Sequence, residues 1–242
     1  MSDRTIPYHQ TAPPLACTAG VQAQNTAPSP MVFGLNSAAN TAQSTPCSDT
    51  TPPTPIDSPF LAMKAMKLFV EAKQTDTWGK EFATTVSETE SGPPLFTAVS
   101  ARTGMTTVEM NYKSPSGAVL CTVQGKGGFT TAGATVTKGG SEFASIGIQK
   151  SLTSAAATYT VGASEVYKAE KYTTLYFFMT VLDQDGKIVA KASQTTINNK
   201  KMEVEVGAGV DILAVMILCG TMGAAPGGGS AAGGLAGAGV TT

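Results

Sequence analysis

The sequence predicts a mainly β fold, a sandwich or a barrel, with a single greasy helix at its C-terminal end. Three observations carry that reading. Short alternating apolar and polar runs fill the middle of the chain, as strands with one wet face require. Turn-forming clusters interrupt them at short intervals: Ser114-Pro115-Ser116-Gly117, Gly125-Lys126-Gly127-Gly128, Lys138-Gly139-Gly140, Asp183-Gln184-Asp185-Gly186 and Asn198-Asn199. The last strand, Met202-Glu203-Val204-Glu205-Val206, passes through Gly207-Ala208-Gly209 into residues 210–219, whose only charge is Asp211. A helix apolar on every side must be enclosed by protein or lipid, and its presence favours a barrel that needs a plug.

The elements follow in order. Residues 1–55 are rich in Pro, Ser, Thr, Ala, Asn and Gln, with Asp3, Arg4 and Asp49 as their only charges. Such a segment buries too little apolar area to offset chain entropy and is expected to be a disordered arm. The domain is expected over 56–222, opening with a short helix around Leu61 to Met66. Strands are expected at 68–72, 78–86, 94–99, 107–112, 118–124, 129–137, 142–149, 158–162, 173–182, 187–194 and 202–206. In 107–112 the alternation is explicit, with Val108, Met110 and Tyr112 opposing Thr107, Glu109 and Asn111. Residues 172–182 are apolar on both faces, Leu175, Phe177, Met179 and Val181 opposing Tyr176, Phe178 and Leu182. One face is expected on the helix and the other under a loop or arm. The helix is placed at about 210–222, with Val210, Ile212, Leu213, Val215, Met216, Ile217 and Leu218 buried and Asp211 in the first turn, where a carboxylate suits the dipole. Residues 223–242, mostly Gly and Ala, read as a flexible tail.

Composition excludes several functions. The net charge of −1 and the lack of a dense Lys/Arg run argue against nucleic-acid binding. Cys17, Cys47, Cys121 and Cys219 have neither CxxC spacing nor a neighbouring histidine, since His9 lies in the arm, so neither a metal site nor a disulfide framework is expected. An apolar signal core is missing from the N-terminal stretch, and an intracellular compartment is expected. Gly125-Lys126-Gly127-Gly128 lacks the spacing of a phosphate-binding loop, Asp183-Gln184-Asp185-Gly186 lacks the remaining ligands of a calcium loop, and Glu203 and Glu205 read as a wet strand face. A convergent nucleophile, base and charge-stabilising group cannot be assembled, so neither enzymatic activity nor a cofactor is expected.

The order of these features resembles the tubby-like superfamily, which includes tubby C-terminal domains, phospholipid scramblases and the plant LURP-one-related proteins. The likeness runs through Leu175-Tyr176-Phe177-Phe178, the Asp183-to-Gly186 turn, Lys187-Ile188-Val189-Ala190, Asn198-Asn199 and Gly209-Val210-Asp211-Ile212-Leu213, with an earlier unit of the same kind at Ser116-Gly117-Ala118-Val119-Leu120. The resemblance implies a closed antiparallel β-barrel of about twelve strands enclosing its own last helix. It also implies an intracellular binding or scaffold protein that engages anionic membrane phospholipid, phosphoinositides among them, or another protein.

Lys187, Lys191, Lys200 and Lys201 flank the last two hairpins and are the candidate headgroup patch, with solvated strand ends as the bland alternative. Trp78 and Phe69 are candidate membrane-inserting aromatics or ordinary packing residues. Ser29-Pro30, Thr45-Pro46, Thr51-Pro52, Thr54-Pro55 and Ser58-Pro59 place hydroxyls before prolines through the arm and just beyond it, a pattern open to proline-directed phosphorylation. The rival reading is a tail-anchored membrane protein using residues 206–225. Its apolar core from Ile212 to Ala225 reaches only about 21 Å as a helix, short of a hydrocarbon layer of roughly 30 Å.

Overall fold

The computed structural model describes residues 41–49, 60–75, 81–103, 107–127, 131–150, 154–173, 177–195 and 201–222. Twelve strands follow one another as an antiparallel meander: β1 (Met66–Gln74), β2 (Glu81–Ser87), β3 (Pro94–Arg102), β4 (Thr107–Lys113), β5 (Val119–Gly127), β6 (Thr131–Lys138), β7 (Ser141–Lys150), β8 (Ser154–Val161), β9 (Ser164–Thr173), β10 (Phe177–Leu182), β11 (Ile188–Gln194) and β12 (Lys201–Val206). Each pairs with its sequence neighbour, and β1 pairs with β12 in a register running from Met66↔Val206 to Glu71↔Lys201, which closes the sheet. Closure removes the two unpaired edges that an open meander would present.

One helix, α1 (Ile212–Thr221), fills the interior. Its Val215, Ile217, Leu218 and Cys219 pack in one cluster with the inward rows of the strands, among them Leu68, Val70, Phe96, Tyr112, Ile146, Tyr159, Met179 and Val204. Each large side chain removed from water this way contributes about 1.5–3 kcal/mol, which is why a helix without a polar stripe is stable here. Of the helical residues named from the sequence, all are buried except Leu213, which is half-buried in the first turn.

The entry of α1 is fully bonded. Asp211 is the N-cap, just outside the helix, and its Oδ1 accepts from Leu213 N–H (2.9 Å) and Ala214 N–H (3.3 Å). Ile212 N–H donates to the Phe60 carbonyl (3.0 Å) and Asp211 N–H to the Tyr167 hydroxyl (3.1 Å). The donors that a helix start leaves orphaned thus all find acceptors. At the far end Lys171 Nζ donates to the Met222 carbonyl (3.4 Å), a cation where the dipole is negative.

Four expectations need correction. Residues 61–66 are not helical: Leu61 bridges Asp211 in antiparallel fashion, with Ala62 N–H donating to Val210 O (2.9 Å) and Gly209 N–H to Ala62 O (2.7 Å), because the lead-in to α1 needs an extended partner. Residues 173–182 are not one strand, since β9 ends at Thr173 and Phe177 pairs back onto it in β10. The remainder of β9 went unread, because Val166 and Tyr167 are adjacent yet both buried beside a register shift at Tyr159/Thr160, which breaks the alternation. The arm, finally, is ordered where residues 41–49 lie on the barrel. Residues 41–44 form one helical turn, and Ala42 packs with Phe178, Tyr172 and Ile188 on the outside of β9 to β11. Ser48 N–H donates to Ile188 O (2.7 Å), and Asp49 Oδ1 accepts from Ala208 N–H (2.8 Å). The two-faced character of residues 177–181 has its reason here: Met179 and Val181 face α1, and Phe178 lies under the arm.

Candidate functional site

With its interior filled, the barrel offers its outer wall. On that wall a groove of about 480 Å³ runs over β12, β1 and β2. Strand alternation sets its floor: Leu68, Val70 and Ala72 point inward, so Phe69, Glu71 and Lys73 point out, flanked by Glu203 and Lys201 of β12 and by Thr85 and Ser87 of β2. One wall is the β2–β3 loop, which turns back across the sheet instead of away from it. Ser87 Oγ helps set that path by donating to Thr89 O (2.8 Å), and Gly92 N–H donates to Thr89 O (3.1 Å).

The loop is held by an ion pair between Glu90 Oε1 and Lys201 Nζ, 2.8 Å apart. Each partner favours the charged form of the other: the hydrogen bond from Lys201 lowers the Glu90 carboxyl, and Glu90 raises the Lys201 ammonium. Both are largely exposed, so the pair adds little to stability. Glu203 bonds Lys67 (2.9 Å), and Lys73 lies 3.9 Å from Glu71. The groove is therefore mixed in charge, with an aromatic ring in its floor.

Of the predicted lysines, the three among the described residues, Lys187, Lys191 and Lys201, are not gathered into one patch. Lys187 sits in the β10–β11 turn beside Asp185 (3.6 Å). Lys191 is mid-strand, its side chain 12% exposed, bonded to Glu205 (3.0 Å) and to the Gln43 carbonyl of the arm (3.2 Å). Lys201 lies at the opposite strand end, where Thr195 N–H donates to its carbonyl. The run of strand from residue 187 to residue 195 separates the two ends by roughly 26 Å. Lys200 and Trp78 lie outside the described residues. Of the described candidate lysines only Lys201 lines the groove, and Phe69 lies in its floor rather than at a loop tip. Sequence reasoning missed Glu90 and Ser87, because nothing in Ser87-Glu88-Thr89-Glu90 reveals that the loop folds back.

The buried Tyr112, Cys121 and Cys219 serve the core rather than chemistry. Tyr112 OH donates to Met216 O (3.0 Å), and burial raises its phenol well above the ordinary range. Burial likewise pushes the Cys121 and Cys219 thiols up to about 12, far from the thiolate form a nucleophile needs. Among the described residues, no group of three or more His, Cys, Asp or Glu side chains is placed to hold a metal ion.

No family model, no curated protein and no solved structure matches this chain.

Proposed function

We propose that this chain is a non-catalytic binding protein that recognises another protein on the outside of its barrel, through the groove over β12, β1 and β2. The observation that carries the reading is the enclosure of α1: the space in which a hollow barrel holds a small ligand is taken by the protein's own helix. Recognition is left to the wall. Along β1 the floor from Phe69 to Lys73 alternates aromatic, acidic and basic groups over roughly 13 Å, with the Thr85 and Ser87 hydroxyls alongside. That pattern suits a short extended polypeptide segment of mixed charge better than an anionic headgroup. The described candidate lysines are each ion-paired already, which weakens the phospholipid reading. The closed meander and its threaded helix support the tubby-like kinship.

A photocrosslinking residue in place of Thr85, in the groove, and of Ser145, on β7 across the barrel, tests the proposal. It is supported by protein adducts at position 85 that are lost on Phe69→Arg and are absent at position 145. Equal adducts at both positions would sink it. Sedimentation with anionic but not neutral vesicles, reduced by Lys201→Glu, would replace it with the lipid reading.

A further inference from the structure

We propose that Thr45 is a phosphorylation site and that phosphoryl transfer to it releases the arm from the face of β9 to β11. Of the five hydroxyl-proline pairs in the arm and just beyond it, Thr45-Pro46 lies within the described residues, and its setting is specific. Thr45 Oγ1 donates to the Thr41 carbonyl at 2.8 Å, and Thr45 N–H donates to the same oxygen at 3.1 Å. Both bonds, with a third from the Ser44 hydroxyl to the same oxygen at 3.0 Å, close the single helical turn that presents Ala42 to Phe178 and Tyr172. Pro46 is exposed and Thr45 partly so, which leaves the pair open to a proline-directed kinase. One turn of helix is marginal by itself, so the segment can open locally to enter such an enzyme.

The reaction uses a nucleoside triphosphate as donor. The bond from the γ-phosphorus to its bridging oxygen breaks, a bond from phosphorus to Thr45 Oγ1 forms, the hydroxyl proton passes to the kinase, and the nucleoside diphosphate leaves. The ester oxygen no longer donates. A group of charge near −2 then sits against the Thr41 carbonyl, at the negative end of the turn's dipole. The turn opens, Ala42 leaves Phe178, and the Lys191 Nζ bond to Gln43 O is lost with it. What remains is the shorter hold at Ser48 and Asp49 on Ile188 and Ala208. The face thus alternates between a covered and an uncovered state under one covalent mark, and this does not depend on the groove.

The test treats the full chain with a proline-directed kinase and a nucleoside triphosphate, maps the modified residue by mass spectrometry, and follows amide exchange. The expected result is phosphate on Thr45, at least tenfold faster exchange over 41–45, and unchanged exchange in α1. Thr45→Ala should block the modification at this residue and leave the arm in place. Ala42→Glu, which drives the turn off by charge instead, should reproduce the exchange pattern without kinase. The proposal is overturned if the folded chain takes no phosphate at Thr45, or if the phosphorylated chain keeps its protection over 41–45.

Discussion

Gly207 and the carbonyl of Ser48 share one space: a Cβ at position 207 would fall inside the van der Waals shell of the Ser48 oxygen. Gly207 N–H meanwhile donates to Val189 O (2.8 Å), so its backbone is fixed between β11 and the lead-in to α1. This close approach lets the arm pass over the end of β12, and it explains a glycine that is buried without lying in a turn.

Gly207→Ala should therefore displace the arm rather than the barrel. Overpacking of this kind costs about 1–3 kcal/mol, and here the yielding partner is the arm. Exchange at Ser48 N–H should accelerate while the β1–β12 ladder keeps its protection; equal acceleration of both would show that the arm is not the element that yields.

Truncations should divide at the same place. Deleting residues 1–40 is expected to leave the thermal midpoint close to that of the full chain. Deleting 1–49 uncovers Phe178, Tyr172 and Ile188 and removes the bonds from Ser48 and to Asp49, a loss of about 1–3 kcal/mol. At roughly 2–4 °C per kcal/mol for a domain of this size, calorimetry should separate the two shortened chains clearly.

How far the sequence discloses this molecule depends on where the determining contacts lie. Thr107 to Tyr112 reads correctly because its alternation is local, and the structure returns that pattern residue by residue. Residues 212–218 announce their enclosure by lacking any polar side. The docking of residues 41–49 is illegible because, Pro46 aside, they are all small or polar and their hold is mostly through backbone groups, as at Ser48 and Gln43. The groove is illegible because it depends on the path of the Glu88-to-Gly92 loop. Lys201, expected in a headgroup patch, instead pairs with Glu90, a partner far away in sequence.

Substitutions along α1 and β12 should contrast sharply. Ile217→Asp places an unpaired carboxylate at a site 1% exposed and should abolish folded protein, at a cost of several kcal/mol. Leu213→Asp, half-buried in the first turn, should be milder. Glu203→Gln loses only the exposed pair with Lys67 and should cost less than about 1 kcal/mol. Denaturant titrations rank the three, and an order with Glu203→Gln as the most damaging would contradict the inside and outside assigned to these strands.

Removing the N-cap tests the entry of the helix. Asp211→Ala leaves the N–H groups of Leu213 and Ala214 without their acceptor and should cost about 1–2 kcal/mol. Asp211→Asn keeps an amide oxygen in the same place and should recover most of that loss, as read from urea midpoints.

Stability should fall in alkali. Burial raises the Cys121 and Cys219 thiols to about 12 and the Tyr167 phenol to about 12, whereas in the unfolded chain the thiols ionise near 9. Above that value the unfolded state binds fewer protons than the folded one, so the slope of unfolding free energy with pH is negative. The stabilising effect is complete below about pH 9 and declines as pH rises toward 12. Thermal midpoints should be flat in this contribution from pH 7 to 8.5 and fall beyond it, and Cys219→Ala should make the alkaline fall shallower.

The enclosure of α1 is the claim on which recognition at the outer wall depends, and amide exchange of Val215 to Leu218 measures it most directly. The account predicts that these amides exchange only with global unfolding, as slowly as the β1–β12 ladder, and that anionic vesicles leave their rates unchanged. Exchange much faster than the ladder, or rates that shift when vesicles are added, would mean that the helix leaves the barrel, and would contradict it.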